Sequence, residues 1–263
     1  MPKVAFAAAA HPDDVEFMMA GTLVLLGRAG YELHYMNVAN GSCGSWTMSA
    51  EETVRTRTAE ARAAAESIGA HFHFPLVDDL MLYYEDHLVR KLCAIVREVN
   101  PEIVLLQSPQ DYMEDHQNAA RLMVTATFCR NMPNYASIPP VDAVDSDVAV
   151  YHSMPHGLRG PLMEPIAPHF FVDIGSTIAD KRGMLSCHRS QKEWLDQTQG
   201  FDNYIHTMEE DTLLTGRVSG KFEHAEGWRR HLSYGFGPAG FDPLCDALGD
   251  HVFENEGGAA VSG

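Results

Sequence analysis

Over the first 130 residues, short apolar runs alternate with stretches of helical periodicity, and this rhythm restricts the chain to a parallel sheet covered by helices on both faces. Val4 to Ala10 reads as a strand, and Val15 to Ala29 as a helix stopped by Gly30. Glu32 to Val38 reads as the second strand and runs into the loop Asn40-Gly41-Ser42-Cys43-Gly44. Glu51 to Ile68, rich in Ala, Glu and Arg, is a helix ending at Gly69. His71 to Val77 is the third strand. Asp86 to Val99 places Leu88, Leu92, Ile95, Val96 and Val99 on one helical stripe that Pro101 ends. Ile103 to Leu106 is a short, fully apolar strand, followed by the polar loop Gln107 to Asp115 and a helix from His116 to Arg130.

The second half is less regular. Strands are predicted at Val148 to His152 and Phe170 to Ile174, with helices at Ser176 to His188 and near Glu209 to Thr215. Asn131 to Pro140, with Pro133, Pro139 and Pro140, suits a loop, and the Gly-rich tail after Glu254 is expected to fray. No internal repeat or low-complexity linker divides the chain, so one α/β domain is expected.

The chemistry gathers where apolar strands end. Ala10-His11-Pro12-Asp13-Asp14 follows the first strand, and Pro12 is placed to open a helix whose first turn carries Asp13 and Asp14. Helix capping alone would account for both carboxylates. The second cluster, Asp111-Tyr112-Met113-Glu114-Asp115-His116, again follows a strand, and loops at one edge of a parallel sheet converge in space. His11, Asp14 and His116 together supply two imidazoles and a carboxylate, a set that leaves zinc an open position for water with a pKa of about 7. Asp13 stands beside them as a base for that water's proton.

Composition narrows the partners. Nineteen basic residues against 36 acidic ones give a formal charge of -17, which opposes nucleic acid and anionic membrane surfaces and fits a neutral or cationic small substrate. Cys43, Cys93, Cys129, Cys187 and Cys245 form no Cys-x-x-Cys pair, as expected of reduced thiols in a cytoplasm. The apolar start is too short for a membrane span.

The Ala-His-Pro-Asp-Asp motif, Arg57-x-x-Glu60 before Ile68-Gly69, Asp111-x-x-x-Asp115-His116, Val172-Asp173-Ile174 with Lys181, and His188-x-Ser190-Gln191 resemble the zinc-dependent LmbE/PIG-L deacetylases. The resemblance covers most of the chain. It implies a Rossmann-like fold, with residues 1–130 as the metal-site half, 131–254 completing the substrate pocket and 255–263 a flexible tail. It implies hydrolysis of an N-acyl group from a small amino sugar or its conjugate, with one zinc per chain held by His11, Asp14 and His116 and with Asp13 as general base. Arg57 and Asp111 would lie at the substrate, and a homo-oligomer is expected by analogy. Many relatives carry His-Pro-Asp-His in the second motif, whereas this chain has Met113-Glu114-Asp115-His116, so a thioether replaces an imidazole expected to stabilise the oxyanion or the leaving amine. His188 is the leading substitute donor, with His152 and His156 in reserve.

Other readings stay open. The same metal site would serve an amidase for a thiol-sugar conjugate or another amide. A Rossmann-like nucleotide-binding protein without catalysis is opposed by the lack of Gly-x-Gly-x-x-Gly in the first loop. Asp78-Asp79 reads as a turn before a second carboxylate site. Glu223 and Glu226, near Trp228, are placed at a pocket rim with no chemistry assigned.

Overall fold

Val4–Ala9 forms β1, six buried side chains in a row, as a strand covered on both faces requires. The computed structural model describes residues 3–191 and 204–261. The elements that follow are α1 (Asp14–Met18), α2 (Ala20–Arg28), β2 (Glu32–Asn37), α3 (Ala50–Ser67), β3 (His71–His73), α4 (Asp86–Val99), β4 (Ile103–Leu106) and α5 (Glu114–Phe128). The second half adds β5 (Ala149–Ser153), β6 (Phe170–Asp173), α6 (Ile178–Leu185), α7 (Tyr204–Ser219), β7 (Ala225–Arg230), α8 (Pro243–Leu248) and β8 (Val252–Glu254). The strands form one eight-stranded sheet in the order β3-β2-β1-β4-β5-β7-β6-β8.

The pairings from β3 through β5 are parallel, and β5-β7, β7-β6 and β6-β8 are antiparallel. The chain therefore winds outward from β1 in one direction to β2 and β3, and in the other to β4 and β5. The crevice of such a sheet opens at the carboxyl ends of β1 and β4, where the winding reverses. Alternation along β1 divides the core: Val4, Phe6 and Ala8 face Leu88, Leu92 and Val96 of α4 and Leu122 and Met123 of α5. Ala5, Ala7 and Ala9 face Met19, Leu23 and Leu26, Ala61 and Ala65 of α3, and Leu244 and Leu248 of α8. Among the described residues, no helix is long and apolar enough to cross a membrane.

Several boundaries move for physical reasons. The single helix expected over Val15 to Ala29 is two, broken at Met19, where the backbone leaves helical geometry. The free N–H groups of Gly21 and Thr22 donate to the two oxygens of Glu226 at 2.9 and 2.8 Å. A carboxylate from β7 thus caps α2, whose own N-cap position offers no side-chain acceptor. Lys181, fully buried, reaches the same carboxylate at 2.5 Å and also donates to the carbonyl of Phe17 at 2.9 Å. Glu226 is therefore a buried capping residue. Strand β3 is only three residues long, and α7 is longer than the expected 209–215 segment. The tail turns back at Asn255, whose amide nitrogen donates to the carbonyls of Pro168 and Ala259; residues 262 and 263 lie outside the described residues.

Removing one partner of a buried ion pair leaves the other charge uncompensated. Lys181→Met is expected to destabilise the fold by about 3–5 kcal/mol, read from urea unfolding. A loss under about 1 kcal/mol would mean that the helix N-terminus alone compensates Glu226.

Candidate metal centre and its buried base

The loop after β1 is held by its carbonyls. His11 O accepts from Asn37 Nδ2 at 2.6 Å, and Pro12 O accepts from Arg57 Nη2 at 2.6 Å. The N–H of Ala10 donates to Gln107 Oε1 at 2.8 Å, which ties the end of β1 to the loop after β4. Asp13 then adopts φ 103, a left-handed conformation that strains a residue with a side chain. It is the N-cap of α1, one residue ahead of the helix, so Asp13 and Asp14 do not share the first turn as expected. Their carboxylates diverge.

Asp14 points to the histidines. Its Oδ2 lies 3.5 Å from His11 Nδ1 and accepts the His11 backbone N–H at 2.7 Å, while its Oδ1 lies 3.5 Å from His116 Nε2. One ligand atom from each of His11, Asp14 and His116 falls within 4.8 Å of the other two. The remaining ring nitrogens are occupied: His11 Nε2 meets Asp115 Oδ2 at 2.9 Å, and His116 Nδ1 meets Asp111 Oδ1 at 2.9 Å. Those carboxylates are anchored by the N–H groups of Leu80, at 2.7 Å, and Met113, at 3.0 Å. Each imidazole is thereby turned so that the nitrogen facing Asp14 is free to ligate, the arrangement that carboxylate partners give metal-bound histidines. Two imidazoles and one carboxylate fit zinc, with a coordination position left open. Burial opposes charge on all three. The two histidines nonetheless hold the Asp14 carboxyl well below its usual range, and Asp115 and Asp14 raise the His11 pKa to about 10.

Asp13 has other partners. Its Oδ2 accepts a short hydrogen bond from the Tyr204 hydroxyl, and its Oδ1 lies 3.7 Å from Arg57 Nη2. Burial pushes its pKa up to about 6 and Asp14 adds to this, while Arg57 opposes the rise. Behind it sits a second buried layer, with Glu16 Oε2 accepting from the Tyr35 hydroxyl at 3.0 Å and Glu16 Oε1 lying 3.3 Å from His188 Nε2. Although burial disfavours the imidazolium, Glu16 and Asp13 leave the His188 pKa raised.

The other sequence-selected residues are placed as follows. Arg57 is buried against the loop, donating to Gly41 O at 3.2 Å as well as to Pro12 O. A Cβ at Gly41 would meet Arg57 Cδ at 2.7 Å, and one at Gly44 would meet Arg57 Nη1 at 2.2 Å, so these glycines admit the guanidinium. Glu60 accepts from the Ser190 N–H and hydroxyl at 3.0 and 2.6 Å, fixing the start of the next helical turn against α3. Asp79 accepts from the N–H groups of Gly41 and Cys43 at 2.6 and 3.0 Å. His152 Nδ1 donates to Gln107 O at 2.9 Å, and burial lowers the His152 pKa to about 4. His156 is paired with Asp211 at 2.6 Å, and Met113 is the N-cap of α5 without a side-chain cap bond.

His188 is fully buried, with its Nε2 facing Glu16 Oε1. Tyr204, Tyr35 and Glu16 escaped sequence reasoning. Glu16 stands only two residues from Asp14, but its partners come from 19 and 172 positions further along the chain.

Comparison with known proteins follows the geometry. Residues 6–127 match the PIG-L family, described as GlcNAc-PI de-N-acetylase. Diacetylchitobiose deacetylase of Thermococcus kodakarensis is 26% identical over 226 residues, covering 83% of this chain and 79% of that protein. 4-Oxalmesaconate hydratase of Pseudomonas putida is 28% identical over 198 residues, covering 72% and 74%. The structure of N,N'-diacetylchitobiose deacetylase from Pyrococcus horikoshii superposes with a TM-score of 0.73 at 21% identity, over 92% of this chain and 88% of that one, and shows the same fold.

The role of the Asp111 carboxylate is separable from that of the ligands. Asp111→Ala is expected to weaken zinc binding by about 10–100-fold, measured by competition with a chelating dye, because His116 loses the partner that orients it. Wild-type affinity in this variant would remove Asp111 from the metal centre.

Proposed function

We propose, on the match of residues 6–127 to the PIG-L family and the likeness to diacetylchitobiose deacetylase, that the chain is a zinc-dependent N-deacetylase acting on a small amino sugar or amino-sugar conjugate. The observation that carries the reading is the divergence of two consecutive carboxylates, Asp14 among the histidines and Asp13 beside them with its pKa raised to about 6. His11, Asp14 and His116 would hold the zinc, which would supply Lewis acidity at an amide carbonyl and a water nucleophilic near neutral pH. Asp13 accepts the proton of the attacking water and returns it to the leaving amine. Arg57 and Tyr204 hold the Asp13 carboxylate in place, and His188 with Glu16 forms its buried support. Arg57 and Asp111 serve the loop and His116 and need not touch the sugar. The five free cysteines suit a cytoplasmic enzyme.

The similarity to a hydratase favours a second reading, in which the same base and cation would add water to a carbon–carbon double bond of an unsaturated polycarboxylate. The net charge of -17 weighs against it, because a polyanion approaches this protein against its field and a neutral acetamido sugar does not.

Acetate release from N,N'-diacetylchitobiose and N-acetylglucosamine conjugates, assayed beside hydration of an unsaturated polycarboxylate, separates the two. The deacetylase reading expects acetate, and hydration without acetate would overturn it. Asp13→Asn is expected to retain zinc and lose about a hundredfold or more in turnover. Near-wild-type turnover in that variant would show that Asp13 is not the base.

A further inference from the structure

Glu32 and His34 alternate on β2, and His71 and His73 alternate on β3. The parallel register sets His34 beside His71, so all four side chains share one face of the sheet, set back along the strands from the His11 centre. They form a chain of contacts. His34 Nδ1 lies 2.8 Å from His73 Nε2, His34 Nε2 lies 3.1 Å from Glu32 Oε1, and His71 Nε2 lies 3.4 Å from the same carboxylate oxygen. The rings of His34 and His73 stack at 5.1 Å, and Phe6 closes the floor of the cluster at 5.3 Å from His73.

We propose that Glu32, His34 and His71 form a second zinc site, with His73 orienting the His34 ring. One ligand atom from each of the three lies within 4.8 Å of the other two. A tetrahedral zinc with bonds of about 2.0–2.1 Å has ligand atoms about 3.4 Å apart. The two edges at Glu32 Oε1 have nearly this length without rearrangement. His73 at Nδ1 of His34 leaves Nε2 for the cation, the same division of ring nitrogens that Asp111 gives His116. Two imidazoles and a carboxylate select zinc, copper or nickel over magnesium and calcium. The side chain of His71 is 63% exposed and that of Glu32 40%, so the site is open to solvent and its fourth position faces water. A cation there adds a further side-chain tie between the three-residue edge strand β3 and β2. Its role is to brace the edge of the sheet, independent of the chemistry at Asp13.

Equilibrium dialysis of the full metal-free chain against zinc, followed by elemental analysis, tests this. Wild type is expected to hold two zinc ions per chain. His116→Ala should hold one, and His34→Gln combined with His71→Ala should also hold one. His71→Ala alone, a change at an exposed side chain, should weaken the second equivalent by roughly tenfold or more even if the double variant folds poorly. A wild-type chain that takes up a single zinc and loses it in His116→Ala overturns the proposal, as does a second equivalent that binds His71→Ala with unchanged affinity. One zinc that survives His116→Ala and is lost in His71→Ala would uphold this site and count against the zinc centre at His11.

Discussion

At Asp13 the backbone enters the left-handed region, and two neighbouring carboxylates take different partners, Asp14 the two histidines and Asp13 Tyr204 and Arg57. A residue with a side chain at φ 103 costs on the order of 1–3 kcal/mol, so the surroundings must hold it there. They do so through the two carbonyls that precede it. Asn37 takes His11 O, Arg57 takes Pro12 O, and the Asp13 carboxylate meets Tyr204. The Arg57 guanidinium fits only because Gly41 and Gly44 lack a Cβ, and the loop that carries them is gathered by Asp79. The strain is thus distributed over the ends of β1 and β2, α3 and α7, and the geometry of the centre depends on all of them.

The same economy governs the rest of the polar interior. Buried charges occur where a backbone or a second charge needs them: Glu226 caps α2 and is matched by Lys181, and Glu16 binds Tyr35 and faces His188. Arg97 spends its guanidinium on the carbonyls of Cys129, Arg130, Met132, Tyr135 and Val141, closing the irregular segment after α5. These groups replace water for backbone atoms that the sheet and helices leave unpaired. The second half of the chain, poor in regular periodicity, is fastened by such side chains more than by long elements.

This explains what could be read from the sequence. α4 and β4 carry their whole signal locally, in an apolar stripe ended by proline and in four consecutive apolar residues, and their bounds match the predicted spans. β7 was not visible because its sequence, Ala225-Glu226-Gly227-Trp228-Arg229-Arg230, mixes a buried glutamate with two arginines, and its burial comes from neighbours more than 50 residues away. The break at Met19 had no local cause either; it is made by Glu226. The candidate ligands His11, Asp14 and His116 are legible because their two motifs follow β1 and β4, strands that the sheet sets side by side. The pairing of Asp111 with His116 is not visible from spacing, and Tyr204 carries no motif.

The replacement of an imidazole by Met113 bears most directly on proton traffic. Met113 begins α5 with its N–H on Asp111, and the thioether has no proton to give. His188 is fully buried beside Glu16, and burial lowers the pKa of His152, whose Nδ1 meets Gln107 O. In the proposed reaction the proton taken from water and the proton given to the amine therefore pass through one carboxyl. Such a group works in both directions only if its pKa stands between that of an ordinary carboxylate and neutrality. Burial raises Asp13 into that range, Asp14 adds repulsion, and Arg57 with Tyr204 limits the rise. The buried layer under the loop is in this sense the counterpart of the missing histidine: it tunes the one acid-base group that the site retains.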